Sequence, residues 1–213
     1  MSMLPPFTQK TRAPHPVCQY WCRDHTGRKY TYDQGADLIR KFHGHTAPGL
    51  IIGTKMVTLA MDCLPKDTLF DAVCETTSCL PDAVQMLTPC TVGNGWLRIQ
   101  DLGRYAVILY SKREGNGFRV AIDPAKLKKW PKFYAWFFKR KAKKDQDFNR
   151  LLKEIHAAGE TVLNVRAVAI KPSYLVRRSK GEIGICVLCG EAFPRAHGST
   201  CRGCQGQAPC ETK

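Results

Sequence analysis

The sequence predicts an α+β fold, helices packed on a mixed sheet, with a small C-terminal module organised by four cysteines. Three observations lead there. Apolar residues at helical spacing fill the segment from residue 35 to 64. Short β-branched and aromatic runs, separated by Asp-Leu-Gly and Gly-Asn-Gly turns, fill the middle. Two close cysteine pairs stand near the end. The length of 213 residues, 44% of them hydrophobic, suits one sizeable domain with an appendage.

Residues 1–17 are rich in proline and are expected to be irregular. The division expected is an N-terminal arm over 1–34, an α+β core over 35–171, a basic linker over 172–184 and a cysteine module over 185–213. In the core, GADLIRKF (Gly35–Phe42) puts Leu38, Ile39 and Phe42 at helical spacing, with Asp33 as the expected N-cap. Pro48 opens a second helix, where its missing N–H costs nothing. That helix runs to about Leu64 and is apolar nearly all round, as a central buried helix is. TLFDAVCET (Thr68–Thr76) reads as a strand, and Thr77 or Ser78 is the expected cap of a short helix, SCLPDAVQML. WLRIQ, RYAVILYS and GFRVAID follow as strands. KFYAWFFKRKAKKDQDFNRLLKEIHAAG reads as a long basic aromatic helix or a helix pair closing near Gly159. TVLNVRAVAI (Thr161–Ile170) is the last strand.

Composition narrows the function classes. The most apolar run, Gly49–Leu64, is too short to span a bilayer and is interrupted by Gly53, Lys55 and Asp62. The N-terminus has no apolar signal core, so a cytoplasmic protein without a membrane partner is expected. The 11 cysteines are an odd number, and in a cytoplasmic chain clusters of them read as metal ligands or reactive thiols. The formal charge is +15, and from Lys126 to Lys180 there are 16 Lys and Arg against four Asp and Glu. Such an excess attracts nucleic acid, anionic lipid or an acidic protein.

The end of the chain carries the most specific motif. Cys186-x2-Cys189 and Cys201-x2-Cys204 are separated by 11 residues. Four thiolates in two tight pairs satisfy tetrahedral zinc, and a segment this short has no core, so the metal supplies its folding energy. His197 lies inside the gap and Cys210 beyond it. With no vacant position, the zinc is structural.

The second constellation begins at KFHGHTAPG (Lys41–Gly49), where His43 and His45 fall at a break between two helices. Cys79 opens a later helix, whose positive end favours a thiolate there. Glu75 ends the preceding strand. If strand and helices pack together, His43, His45, Glu75 and Cys79 share a cleft, and imidazole with thiolate suits zinc, iron, nickel or copper. The alternative is a pair of satisfied loop histidines. Cys63, Cys74 and Cys90 read as buried small hydrophobes. Cys18-x3-Cys22-x2-His25 is a half-site without its paired partner.

FHGHTAPGLIIG, ETTSCLPDAVQMLTPCTVGNGWL, the QDLGRYAV that follows and the four-cysteine module together resemble the FmdE family of formylmethanofuran dehydrogenase subunits over about residues 35 to 204. The family pattern is approximately His-Gly-His-x-Cys-Pro-Gly, Glu-Thr-x-x-Cys with Asp-Ala further on, then Gly-Cys-Thr and a Gly-Lys loop. The resemblance implies an α+β core forming an intertwined dimer, a treble-clef zinc finger and a metal-binding cleft. It places His43, His45, Glu75 and Cys79 in catalytic positions, with Asp82, Cys90 and Thr91 on matching positions. Ala47 stands where the family has cysteine, Asn94 where it has lysine and Pro89 where it has glycine. With Ala47 in place of a thiol, a core metal falls to His45 and Cys79, with water completing the shell.

The function expected is that of a metal-binding protein of this family. It would be an accessory subunit or small metalloenzyme of one-carbon or molybdenum/tungsten enzyme metabolism, methanogenesis-related. Zinc in the tail, a second metal in the core cleft, a homodimer and molybdenum/tungsten enzyme subunits as partners go with that expectation. The alternative is a nucleic-acid or protein-binding adaptor, in which Trp130, Phe133, Tyr134, Trp136 and Phe137 stack bases among the lysines. A third reading is thiol transfer at Cys79.

Overall fold

The computed structural model describes residues 20–176, 179 and 181–210. Cys18, and with it the Cys18/Cys22/His25 half-site, and most of the proline-rich arm lie outside the described residues. The chain divides into two compact units, Met1–Leu175 and Val176–Lys213.

In the first unit, β1 (Cys22–Arg23) and β2 (Lys29–Tyr30) form a short antiparallel hairpin within the segment expected as an arm. It is part of the core: Trp21 and Cys22 are buried. The next helix, α1 (Tyr32–His43), starts three residues before the expected Gly35. Its N-cap is Thr31 rather than Asp33, because Thr31 and Gln34 close a reciprocal capping box, at 3.3 Å and 2.9 Å. Asp33 instead sits in the first turn, where a carboxylate favours the helix dipole. Gly44, at φ 85°, ends α1 in a left-handed cap that a side chain would strain.

Helix α2 (Pro48–Cys63) is the centre of the unit. Every residue from Gly49 to Met61 is buried, and each of its large apolar side chains contributes about 1.5–3 kcal/mol on burial. Three buried polar residues are satisfied. Thr54 accepts from Trp21 Nε1 at 3.1 Å, Thr58 accepts from the backbone N–H of Arg23 at 3.1 Å, and Lys55 Nζ lies 3.1 Å from Glu160. The hairpin therefore covers one side of α2 and pairs its polar groups.

The sheet packs on α2. Its strands are β3 (Phe70–Cys74), β4 (Leu97–Ile99), β5 (Ala106–Ser111), β6 (Asn116–Ile122) and β7 (Leu163–Ala169). Their order is β4-β3-β5-β6-β7. The β3/β4 pair is parallel and the others antiparallel, which is the mixed sheet expected. Ala72, Cys74, Val107, Leu109, Val120 and Leu163 belong to the core, so the alternate residues of each strand face away from α2.

Helix α3 (Leu80–Leu87) follows β3. Its N-cap is Cys79 itself, with no side-chain cap from Thr77 or Ser78. The long basic stretch resolves into separate helices, α4 (Pro124–Leu127), α5 (Pro131–Phe137) and α6 (Phe148–Ala158). Prolines open the first two, and Asp147 caps the third by accepting from Arg150 N at 3.0 Å. Between α5 and α6 lies a run of five cations in six residues, whose repulsion on one helical surface opposes continuation. The aromatics of α5 point inward. Phe133 is fully buried, and Trp130, Tyr134, Trp136 and Phe137 pack against the core. The nucleic-acid expectation thereby loses its stacking platform and keeps only the charges. A short helix, α7 (Pro172–Leu175), ends this unit.

In the second unit β8 (Ile183–Ile185) and β9 (Ala192–Pro194) pair antiparallel, with Gly184 opposite Phe193. Phe193 is the buried side chain of this ribbon. Gly184 has no room for more, since a Cβ there would lie 2.8 Å from the Arg195 side chain.

Candidate functional site

The tail cluster forms where β8 runs into a knuckle. Cys186 N–H donates to Glu191 O and Gly190 N–H donates to Cys186 O, both at 2.9 Å, and Gly190 takes φ 75° to close the turn. This brings Cys186 and Cys189 onto one side. The Sγ atoms of Cys186, Cys189, Cys201 and Cys204 all lie within 4.8 Å of one another. Cys189 Sγ and Cys201 Sγ are 3.8 Å apart. A Zn–S bond of about 2.3 Å puts the corners of a tetrahedron about 3.8 Å apart, so the four sulfurs fit zinc. Backbone N–H groups point at the sulfurs: Cys201 N–H at Cys186 Sγ, 3.3 Å, and Cys204 N–H at Cys201 Sγ, 3.4 Å. Hydrogen bonds from the Cys189 and Cys201 N–H groups hold the Cys186 thiol well below its ordinary value. Cys204 is pushed up to about 12, first by its hydrogen bond with Cys189. Crowded sulfurs of this kind ionise together only around a cation. The tail is therefore a structural zinc module.

The core site is built at the junction of α1, α2 and α3. Gly44 turns the chain out of α1, and the His43 and His45 rings come to 4.7 Å, tilted by 45°. His43 Nδ1 lies 2.8 Å from Oδ2 of Asp82, in the first turn of α3. This fixes the imidazole and leaves Nε2 as its outward atom. Ala47 is buried as the N-cap of α2 and provides no side-chain cap. Next along, Gly49 is a close-approach glycine. A Cβ there would lie 3.0 Å from both Cβ and Sγ of Cys79 and 3.0 Å from the Tyr105 hydroxyl. Tyr105 donates that hydroxyl to Gly49 O at 2.7 Å.

Cys79 has φ 52° and ψ −45°, a conformation that L residues rarely adopt. Strain of this kind at a non-glycine residue concentrates at functional sites. The environment reverses the lowered thiol pKa expected from the helix end. Burial first, then Asp82, raises Cys79, against the Leu50 N–H and Lys143, which lower it. Burial of a small thiol thus outweighs one helix dipole.

Glu75 does not join this group. It follows Cys74, which faces α2, so its side chain faces the opposite side of the sheet. There Arg119 binds it in a fork, Nε at 2.9 Å and a terminal nitrogen at 2.7 Å, and Arg104 Nε adds a third contact at 2.8 Å. The Arg119 hydrogen bonds, followed by the charges of both arginines, hold its carboxyl below the ordinary value despite burial. Glu75 is 4% exposed, and both oxygens are occupied. Of the set His43, His45, Glu75 and Cys79, the structure assembles the two histidines, with Asp82, at one helix junction and Cys79 beside Gly49 at the start of α2. It assigns Glu75 to an ion-pair network.

The remaining cysteines behave mostly as small hydrophobes. Burial pushes Cys74 up to about 12 and Cys90 up to about 11, while Cys63 is only half-buried. Asn94, at the position of the family lysine, shapes its own turn. Its side-chain oxygen accepts from Thr91 N and Trp96 N, and its amide donates to Pro89 O at 2.7 Å.

Imidazole and thiolate are suitable donors, and the carboxylate behind His43 is the partner that metal-bound histidines usually have. Among the described residues, however, the tail is the one place where three or more ligand atoms lie within 4.8 Å. The core donors are not drawn into such a cluster. Asp82, Gly49, Tyr105 and Lys143 are contributors to which the sequence assigns no role of their own. For Asp82 a signal existed, since it stands one helical turn after Cys79.

Comparison with known proteins follows the same division. A family described as "FmdE, Molybdenum formylmethanofuran dehydrogenase operon" matches residues 42–170, and "FmdE treble clef zinc finger" matches residues 177–211. A crystal structure from Syntrophus aciditrophicus, of an FmdE-like protein of tungsten formylmethanofuran dehydrogenase, is 44% identical with a TM-score of 0.80. The match covers 89% of this chain and 99% of that one. A protein of Archaeoglobus fulgidus named as a probable S-adenosyl-L-methionine-binding protein is 32% identical over 99 residues, 43% of this chain. The chain spans about a quarter of that relative, 27% of its length.

Proposed function

The chain belongs to the FmdE family, and from that premise we propose that it is an accessory protein of one-carbon metabolism run by molybdenum or tungsten enzymes. Its working site in this reading is the cleft at the start of α2 and α3. The carrying observation is the 2.8 Å contact between His43 Nδ1 and Asp82, beside His45 and the strained Cys79. A carboxylate that fixes one imidazole nitrogen frees the other for a proton or a metal. In this reading a second metal ion is held by His45 and Cys79, with Nε2 of His43 as the further donor. The ion would supply Lewis acidity when bound. The protein's own part is to orient His43 through Asp82 and to hold Cys79 against Gly49.

Elemental analysis tests the site. The wild type is expected to carry two metals per chain, and a His45→Ala, Cys79→Ala double variant one, the tail zinc. One metal in both proteins would sink the core-metal reading.

The same premise supports a homodimer. The outer strand β7 presents a seven-residue edge with Arg166 and Ala167 exposed, and such edges pair readily with another chain. Sedimentation equilibrium at micromolar concentration is expected to give twice the chain mass, and a monomer there would refute it.

A further inference from the structure

Neither site uses the cations between α5 and α6. Lys139, Arg140, Lys141, Lys143 and Lys144 are all exposed, and Asp145 is the first acidic residue after them. Arg140 lies 4.9 Å over the Tyr134 ring and 5.9 Å over the Phe138 ring. Among the described residues Lys139, Lys141, Lys143 and Lys144 form no ion pair. Such a run is ordinarily a solvated surface.

Its location here is fixed by packing. Phe137, the last residue of α5, meets Tyr105 edge to face, with ring centroids 6.4 Å apart and planes at 88°. Tyr105 reaches Gly49 O at 2.7 Å, and Gly49 is the residue against which Cys79 lies. Three successive contacts therefore carry the end of α5 to the wall of the cleft. Lys143 begins the single 3-10 turn that follows, Lys143–Asp145. Its charge reaches the Cys79 thiol, which it pulls down. The acidic group on the inner wall, Asp82, is occupied by His43.

We propose that the cleft takes a small anionic molecule bearing a carboxylate or phosphate group, and that Lys143 is the cation that meets it beside Cys79. The inference rests on the cleft being the working site, and it supplies the substrate class that this reading lacks. It also gives the basic segment a role that does not need base stacking.

Cys79 can report on the charge beside it. Full-length protein, brought to one metal per chain, is alkylated in parallel with iodoacetate and iodoacetamide, and the label at Cys79 is quantified by peptide mass spectrometry. The ratio of the two rates cancels the thiolate fraction and leaves the charge felt by the reagent. A single charge about 7 Å away in water changes such a rate about two- to threefold. K143E is expected to lower the iodoacetate-to-iodoacetamide ratio about fivefold at low salt, and K143Q about half as far on a logarithmic scale. Salt at 0.5 M is expected to collapse the difference. Millimolar inorganic phosphate is expected to slow labelling in the wild type and not in K143E. A ratio unmoved by K143E overturns the proposal, as does a Cys79 that neither reagent reaches. The metal count is independent of this ratio, so failure of either reading leaves the other legible.

Discussion

Nδ1 of His43 and Oδ2 of Asp82, 39 residues apart in sequence, meet at 2.8 Å across the junction of α1 and α3. This contact decides which imidazole nitrogen is available. Removing it by Asp82→Ala is expected to weaken Co(II) binding at the core about 10–100-fold, the usual cost of losing a partner behind a metal-bound histidine. Asp82→Asn keeps a polar partner and is expected to lose less. The thiolate-to-Co(II) absorption band measures both. Equal affinity in all three proteins would separate Asp82 from the site.

Gly49 is expected not to tolerate a methyl group. In a helix Gly→Ala ordinarily stabilises by about 1 kcal/mol. Here the added Cβ would lie 3.0 Å from Cys79 and from the Tyr105 hydroxyl, and overpacking of that kind costs about 1–3 kcal/mol. Gly49→Ala is therefore expected to be net destabilising in urea unfolding and to change the alkylation rate of Cys79. A more stable variant with unchanged Cys79 reactivity would contradict this packing.

Glu75 couples the sheet to pH. Its carboxyl sits below the ordinary value of 4.5 because Arg119 and Arg104 hold the charged form. A lowered folded-state pKa means stability that is present above the unfolded value and lost as pH falls through the folded one. Wild-type stability is thus expected to drop below about pH 4.5, and Glu75→Gln to flatten that drop. At neutral pH Glu75→Gln is expected to cost about 2–3 kcal/mol, below the range for a fully buried pair because Arg104 is exposed. Urea titrations between pH 3 and 7 test both.

Loss of the tail zinc is expected to unfold one unit. Cys204→Ala, or chelation, is expected to remove protection from amide exchange in residues 183–207 while the amides of α2 stay protected. The reason is that Gly49–Met61 are buried in an apolar core, whereas the second unit has little beyond Phe193. Parallel loss of protection in α2 would contradict this.

The sequence by itself determined what depends on spacing. Two Cys-x2-Cys pairs define a tetrahedral site, a continuously apolar segment after Pro48 makes the buried helix, and the turn residues separate the strands of a mixed sheet. The motif residues around His43, Cys79 and Cys186 place the chain in its family. Tertiary structure decided where the side chains go. Glu75 and Arg119 are 44 residues apart, and the register of β3, β5 and β6 sets them on the face away from α2. One residue of shift along the strand would have turned Glu75 inward. Cys79 has the helix-end position of an activated thiol, yet burial raises it. Lys143 belongs to a charge run that has no partner in the linear sequence, and it comes to the cleft only through Phe137, Tyr105 and Gly49. Local signals encode periods and caps over a few residues. Desolvation and partner choice arise only when distant segments pack, and they govern what each candidate residue can do.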